Sequence, residues 1–318
     1  MGAVPVVDLA GPRDDVARRI DAACTEIGFF QIVGHGLDAG VEAAAWQVAQ
    51  DLFALPEERK LAVAIPPGDA YGYGPYRVER LAASLGADTP PALKETFSIG
   101  PFTPAPVGLD DPAAAFVYSP NRWPSELTDA AEVFRAYYDA LAALVERVMA
   151  AMAVGFGLDD RWFQPYIDRH TSALRVLHYP DLHGQQVEPG QLRAGAHSDY
   201  GTLTLLRQDA ALGGLQVRDV HDVWHDVPSV PGAYVVNVGD ALARWTNDRW
   251  RSTVHRVVVP PVDATGSCER YSIAFFHNAN WDARIECIPT CLAAGAEPRY
   301  APVLAGRHLM DKFLSTQS

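Results

Sequence analysis

The chain has 318 residues, 48% hydrophobic and 20% charged, with 12 Tyr, 12 Phe and 7 Trp, a composition that supports a sizeable core and excludes a disordered or collagen-like chain. Lys plus Arg number 26 against 39 Asp plus Glu, a net charge of −13, the wrong sign for a protein that binds nucleic acid by neutralising phosphates. Only Lys60, Lys94 and Lys312 are lysines, so nearly all positive charge is guanidinium, which stays protonated and can grip a carboxylate with two parallel bonds.

Cys24, Cys268, Cys287 and Cys291 are too scattered for a disulfide framework and form no CxxC pair, which fits a reducing compartment. The first residues lack a basic segment followed by a long apolar run, and Val6 stands where a myristoylation signal wants Ser or Thr. The most apolar stretch, 141–158, is broken by Glu146, Arg147, Gly155 and Gly157, so it reads as a buried helix rather than a membrane span. The expectation is a cytoplasmic protein with a small-molecule partner, no nucleic acid and no membrane, present as a monomer or weak homo-oligomer.

In chain order, Val16, Ile20 and Ala23 share one face of a helix over 14–26, and Gly28 stops it before the apolar run Phe29 to Val33, which reads as a strand. Asp38 caps a second helix through Phe53, and Pro56-Glu57-Glu58 opens a short third. Residues 65–92 form a long segment rich in Gly, Pro and Tyr, which either lines a binding site or packs its tyrosines on the body. The spacing of Leu127, Ala131, Phe134, Tyr138, Leu141 and Val145 predicts a long helix over 125–154 that braces a sheet.

From Thr171 the period becomes two. Short strands are expected over 173–179, 201–206, 214–217, 224–227, 233–238, 254–259 and 270–276, with turns such as Gly213-Gly214, Gly239-Asp240 and Pro260-Pro261 between them. Such a series of short strands reads as a double-sheet jelly roll or a barrel. A closing helix is expected around 301–313.

Ten histidines are present, and one stands out by its neighbours. His197-Ser198-Asp199 places an imidazole and a carboxylate two residues apart, on one face of an extended strand. His255 opens a later strand, and a jelly roll can bring that strand end beside the first pair. Two histidines and one carboxylate on one face of an octahedron leave three positions open, the arrangement that holds non-haem Fe(II) for oxygen chemistry. Arg270 and Ser272, on the strand that follows, share a face by the same two-residue period and can hold a carboxylate. Fe(II) with one Asp carries one net positive charge, so a 2-oxoacid chelating it leaves its distal carboxylate for Arg270. Arg175, Leu177 and Tyr179 also share a strand face. The Tyr179 hydroxyl can donate to the same ligand, while Arg175 either joins it or pairs with one of the many acidic groups.

The ordered set Leu174-Arg175-Val176-Leu177-His178-Tyr179-Pro180, His197-Ser198-Asp199-Tyr200-Gly201-Thr202, Trp245 through His255 to Val257, and Arg270-Tyr271-Ser272 resembles the isopenicillin N synthase-like branch of the Fe(II)/2-oxoglutarate-dependent dioxygenases. Val4 to Leu9, Gly28-Phe29-Phe30, Gly34-His35-Gly36 and Lys94-Glu95-Thr96-Phe97 resemble that branch's N-terminal region. The resemblance implies a mainly β fold with flanking helices, a double-stranded β-helix (jelly-roll) core with a helical N-terminal region. It implies His197, Asp199 and His255 as iron ligands, Arg270 and Ser272 as the clamp for the C5 carboxylate of 2-oxoglutarate, and Tyr179 as a further contact. Many plant relatives carry Asn where Leu177 stands, so one cosubstrate hydrogen bond is missing or comes from Arg175.

The implied organisation is an N-terminal region over 1–120, bracing helices over 121–168, the jelly-roll core over 169–280 and a closing segment over 281–318. The implied activity uses Fe(II), 2-oxoglutarate and O2: decarboxylation of 2-oxoglutarate to succinate and CO2 is coupled to hydroxylation, desaturation or cyclisation of a small metabolite. An amino acid or natural-product intermediate is the expected substrate type. Tyr71, Tyr73, Arg77, Phe97, Phe276, Asn278 and Trp281 either line its pocket or pack structurally. Two other readings stand beside this one: an Fe(II) oxidase that does without 2-oxoglutarate, of the isopenicillin N synthase or aminocyclopropane carboxylate oxidase type, and a catalytically silent jelly-roll binding module.

Overall fold

The computed structural model describes residues 4–80, 86, 89–209, 213–261, 267–293 and 295–317. The N-terminal region contributes strands β1 (Val6–Asp8), β2 (Phe29–Val33), β3 (Gly72–Gly74) and β4 (Glu95–Ile99) with helices α1 (Arg13–Glu26), α2 (Ala39–Ala54), α3 (Glu57–Leu61) and α4 (Ala114–Val117). The long helix α5 (Ala130–Gly155) and the turn α6 (Gln164–Ile167) lead to β5 (Ala173–Tyr179). The remaining core strands are β6 (Ala194–His197), β7 (Leu203–Gln208), β8 (Leu215–Arg218), β9 (Trp224–Asp226), β10 (Tyr234–Val238), β11 (His255–Val257) and β12 (Arg270–His277), with α7 (Asp240–Trp245) after β10. A small hairpin, β13 (Arg284–Ile285) with β14 (Val303–Leu304), precedes the closing helix α8 (Ala305–Gln317).

Eight strands form one sheet in the order β1-β2-β10-β7-β12-β5-β4-β3, and β6-β11-β8-β9 form a second. This is the double sheet that the strand spacing predicts. The N-terminal strands extend the larger sheet at both edges, so that region is built into the core sheet. Residues 65–92, expected as loop, contribute β3, whose Gly72, Tyr73 and Gly74 pair with Ser98, Phe97 and Thr96. The long helix starts at Ala130, later than the periodicity suggests, because 125–129 form turns.

Alternation along each strand gives the large sheet two unlike faces. Phe97, Leu174, Val176, Leu205, Val236, Ile273 and Phe275 point to one side and pack with Phe134, Leu141, Val145, Val148 and Met152 of α5 and with α1 and α2. The opposite face looks at the small sheet, and there Leu177, Tyr179, Val235 and Ala274 meet Ala194, Leu215, Val217 and Val257. The helices form where their caps and stripes allow: Asp38 Oδ1 accepts from the amides of Gly40 and Val41 at 2.7 and 3.1 Å to start α2. Among the described residues no helix is long and apolar enough to cross a membrane.

Beneath α5, His170 stacks on Tyr138 and lies 5.3 Å from the ring of His277. Burial lowers the His170 imidazole from 6.5 to about 4, and burial together with the charge of His170 holds His277 well below its ordinary value. Between these values the unfolded chain binds more protons than the folded one, so stability falls as pH drops below about 6.5. Thermal denaturation of the metal-free protein is expected to show a melting temperature declining steadily from about pH 7 to about 4.5, with a shallower decline in His170→Gln. An identical slope in that variant would remove His170 as its cause.

Candidate functional site

The mouth between the two sheets brings His197 and Asp199 together with the sequence-distant His255. Strand β11 pairs with β6 so that His255 sits opposite His197 in register, their ring centroids 4.4 Å apart. Each ring spends Nδ1 on a backbone carbonyl, His197 on Gly195 at 2.7 Å and His255 on Thr253 at 3.1 Å. With Nδ1 donating, both Nε2 atoms keep their lone pairs and face the same point. Asp199 lies just beyond the end of β6, and its Oδ1 is 3.8 Å from each Nε2. Its other oxygen, Oδ2, accepts from Thr204 Oγ1 at 2.6 Å and Asn237 Nδ2 at 2.7 Å.

Local backbone geometry fixes the carboxylate. The Asp240 amide donates to the Asp199 carbonyl at 2.7 Å, joining the start of α7 to the turn after β6. Gly201 and Gly239 let these segments touch, because a Cβ on Gly239 would collide with the Gly201 carbonyl oxygen. Burial, then the neighbouring His255, hold the His197 imidazole down at about 4, so it is neutral and ready to ligate at neutral pH. Burial alone would raise the Asp199 carboxyl, but the two imidazoles and the bonds from Asn237 and Thr204 outweigh it and hold the group below its usual value.

A second convergence of potential ligands exists among the described residues, Asp181, His183 and Cys268. There the polar atoms bond one another: Asp181 Oδ1 takes His183 Nδ1 at 2.6 Å and Cys268 Sγ at 2.9 Å. That group is closed by its own hydrogen bonds. At His197, Asp199 and His255 the donor atoms are too far apart to bond directly and near enough to share an ion, and two imidazoles with one carboxylate suit Fe(II).

Deeper between the sheets lies Arg270, 1% exposed. Its guanidinium lies 4.8 Å from the Tyr179 ring centroid, with NH1 3.3 Å from Ser272 Oγ and NH2 3.0 Å from Gln208 Oε1. Its Nε has no partner, and no carboxylate pairs with this guanidinium among the described residues. Arg193, also 1% exposed, lies 5.7 Å from the same ring centroid and donates to the carbonyls of Pro180 and Cys268, with its own Nε unpartnered. Two buried cations without an anion are costly unless a ligand brings one. The dianion 2-oxoglutarate, one end on the metal cluster and the other at Arg270, fits that requirement.

Of the other expected site residues, Phe276 lies on the same face as Arg270, opposite Thr204, whose hydroxyl binds Asp199. Arg175 also faces the interior, but its NH1 is 2.9 Å from Glu79 Oε1, so the ion-pair reading describes its position. Tyr73 and Phe97 fall on the helix-packed face, since they alternate with the interior-facing Thr96. Tyr71 is buried, with its hydroxyl 2.9 Å from the Val117 carbonyl. Trp281 packs on Leu309 of α8 and donates to Asp111 at 3.0 Å. Asn278 bonds the Thr171 carbonyl and Arg77 that of Gln186. Sequence reasoning misses Thr204, Asn237, Arg193 and Gln208; for Thr204, Asn237 and Gln208 the signal is parity with Phe276 and Arg270, legible only once strand order is known, and Arg193 lies just before β6 with no such signal.

Residues 4–126 match the family model described as non-haem dioxygenase in morphine synthesis N-terminal, and residues 170–279 match that of the 2OG-Fe(II) oxygenase superfamily. A 2-oxoglutarate-Fe(II) type oxidoreductase of Emericella nidulans is 36% identical over 296 residues, spanning 91% of this chain and 81% of its own length. Validamycin A dioxygenase of Streptomyces hygroscopicus subsp. limoneus is 33% identical over 323 residues, covering 98% of this chain and 86% of its own. The crystal structure of a full-length Neurospora crassa protein in complex with alpha-KG and thymine superposes with a TM-score of 0.85 at 34% identity, over 98% of this chain and 97% of that one.

Because Thr204 and Asn237 aim the Asp199 carboxylate, Asn237→Ala is expected to weaken Fe(II) binding by about 10- to 100-fold, read by equilibrium titration under anaerobic conditions. Unchanged affinity would show that the orientation of Asp199 does not depend on this bond.

Proposed function

The chain belongs to the Fe(II)- and 2-oxoglutarate-dependent oxygenase superfamily, and we propose that His197, Asp199 and His255 hold its iron while Arg270 and Ser272 hold the distal carboxylate of 2-oxoglutarate. The protein is a dioxygenase that uses Fe(II), 2-oxoglutarate and O2 to oxidise a small molecule. The observation that carries the residue assignment is the pairing of a three-donor cluster at the mouth with a buried guanidinium below it that meets no carboxylate among the described residues.

The bound iron supplies the redox chemistry that couples decarboxylation of 2-oxoglutarate to oxidation of the substrate. The side chains supply placement. His197 and His255 turn their Nε2 atoms toward the metal position because Nδ1 of each is committed to a backbone carbonyl. Asp199 gives one oxygen to the metal because its other oxygen is fixed by Thr204 and Asn237. Arg270, braced by Gln208 and resting on Tyr179, receives the far carboxylate, and Arg193 adds a second positive charge to that end. Val217, Val257, Leu215 and Ala274 make the surrounding walls apolar and keep water from the reacting centre.

Leu177 stands beside Ser272 in register, where it can offer packing but no hydrogen bond to the cosubstrate. The 2-oxoglutarate-free oxidase reading would give Arg270 to a substrate carboxylate instead. The alpha-KG in the Neurospora crassa complex and the names of the relatives favour the cosubstrate there, and the three intact metal donors disfavour a silent binding module. The substrate reading is a small polar metabolite, supported by thymine and validamycin A in the names of the proteins this chain resembles.

Asp199→Ala is expected to abolish succinate formation, and Arg270→Ala to raise the KM for 2-oxoglutarate by about 30-fold or more, since breaking a buried charge pair costs about 2 kcal/mol or above. Both are read by succinate release. Undiminished succinate formation in Asp199→Ala would sink the ligand assignment.

A further inference from the structure

A second pair of cations stands on the same interior wall, away from Arg270. Arg175 is paired in register with Ala274 on one side and Ser98 on the other. Along β5 it is separated from Tyr179, the partner of Arg270, by about 13 Å. It therefore lies nearer the metal end of the wall than Arg270 does, level with Ala274 and Leu206 and one row short of Phe276 and Thr204. Lys94, immediately before β4, has the same parity as Thr96 and Ser98. Its side chain is only 2% exposed.

Glu79 bridges the two cations. Its Oε2 is 2.6 Å from Lys94 Nζ and its Oε1 is 2.9 Å from Arg175 NH1. These are the only carboxylate contacts of either cation among the described residues. Arg175 NH2 has one long contact, 3.4 Å to Thr96 Oγ1, and Nε has none. An ammonium has three donors, and among the described residues Lys94 Nζ has one polar partner, Glu79. Two cations that share one carboxylate leave a net positive charge and several unused N–H groups, with Lys94 nearly buried and Arg175 and Glu79 24% and 29% exposed. Surface pairs of this kind need no further explanation, but a nearly buried lysine with spare donors does.

Resting on the oxygenase reading above, we propose that Lys94 and Arg175, braced by Glu79, form an anion subsite that receives a carboxylate of the oxidised substrate. Its charge is counted apart from the cosubstrate end, where iron, Asp199, a 2-oxoglutarate dianion, Arg270 and Arg193 leave one positive charge; Lys94, Arg175 and Glu79 carry a further one, and that surplus selects for a singly negative substrate. Glu79 holds the two cations together and repels a second negative group, which disfavours dianions. A neutral compound leaves the donors unpaired and binds less well.

The test measures binding of benzoate and of benzamide by calorimetry to the anaerobic Fe(II) and 2-oxoglutarate-loaded protein. Benzoate is expected to bind saturably at one site and at least tenfold tighter than benzamide. Lys94→Met and Arg175→Gln should each remove that preference, with Lys94→Arg restoring most of it, and the dissociation constant for 2-oxoglutarate should stay within about twofold. Arg175→Gln guards against misfolding of the lysine variant. Equal binding of acid and amide, or an unchanged benzoate affinity in both variants, would overturn the subsite. A loss of 2-oxoglutarate affinity with benzoate unaffected would assign the pair to the cosubstrate and equally overturn it. Failure of the wild-type protein to bind 2-oxoglutarate at all would instead strike the oxygenase site assignment.

Discussion

Asp199 joins the two sheets of this protein at their open end. One of its oxygens is held by Thr204 on β7 and Asn237 on β10 of the large sheet. The other faces Nε2 of His197 and His255, which belong to the small sheet. The gap between the sheets is thereby set where three donors must converge. A carboxylate with both oxygens free would rotate, and the imidazoles would lose their third partner. The glycine contact between the turn after β6 and the start of α7, and the main-chain bond from Asp240, serve the same constraint from the backbone side.

Electrostatics then divide the interior into zones. At the mouth, the Asp199 carboxylate faces the imidazoles of His197 and His255. Below it, Arg270 and Arg193 both rest near the Tyr179 ring, with no carboxylate of their own among the described residues. Across the wall, Lys94 and Arg175 share Glu79. Buried cations in an apolar enclosure are tolerated when a ligand completes them, so the unused donors describe the ligands by charge and position. The chain as a whole is acidic, −13, and the interior of the jelly roll is locally the reverse. Net charge argues against nucleic acid, but it carries no information about the anions held inside.

Much of this is legible from residue order. The two-residue period after Thr171 marks the core strands because alternation is a local property, and the His197, Asp199, His255, Arg270 and Ser272 set can be picked out because its members sit at strand ends or share strand parity. Tyr73 and Phe97 stay open in the sequence for the complementary reason: an aromatic in or beside a Gly- and Pro-rich stretch carries no sign of which sheet face it will take, and pairing of β3 with β4 turns both toward the helices. Thr204 and Asn237 cannot be singled out, since their role depends on β7 and β10 being neighbours across a long stretch of sequence. The Glu79 contact is equally hidden, although the need of Arg175 for either a ligand or an acid is not.

The most direct test of the central claim, that one cavity presents an iron cluster and an anion clamp to a single chelating dianion, is a visible spectrum of the anaerobic Fe(II) protein as 2-oxoglutarate is added. Chelation at the cluster produces a charge-transfer band that grows to a one-to-one end point and fails to saturate at the same concentrations in Arg270→Ala. Stoichiometric iron binding with no such band would contradict it.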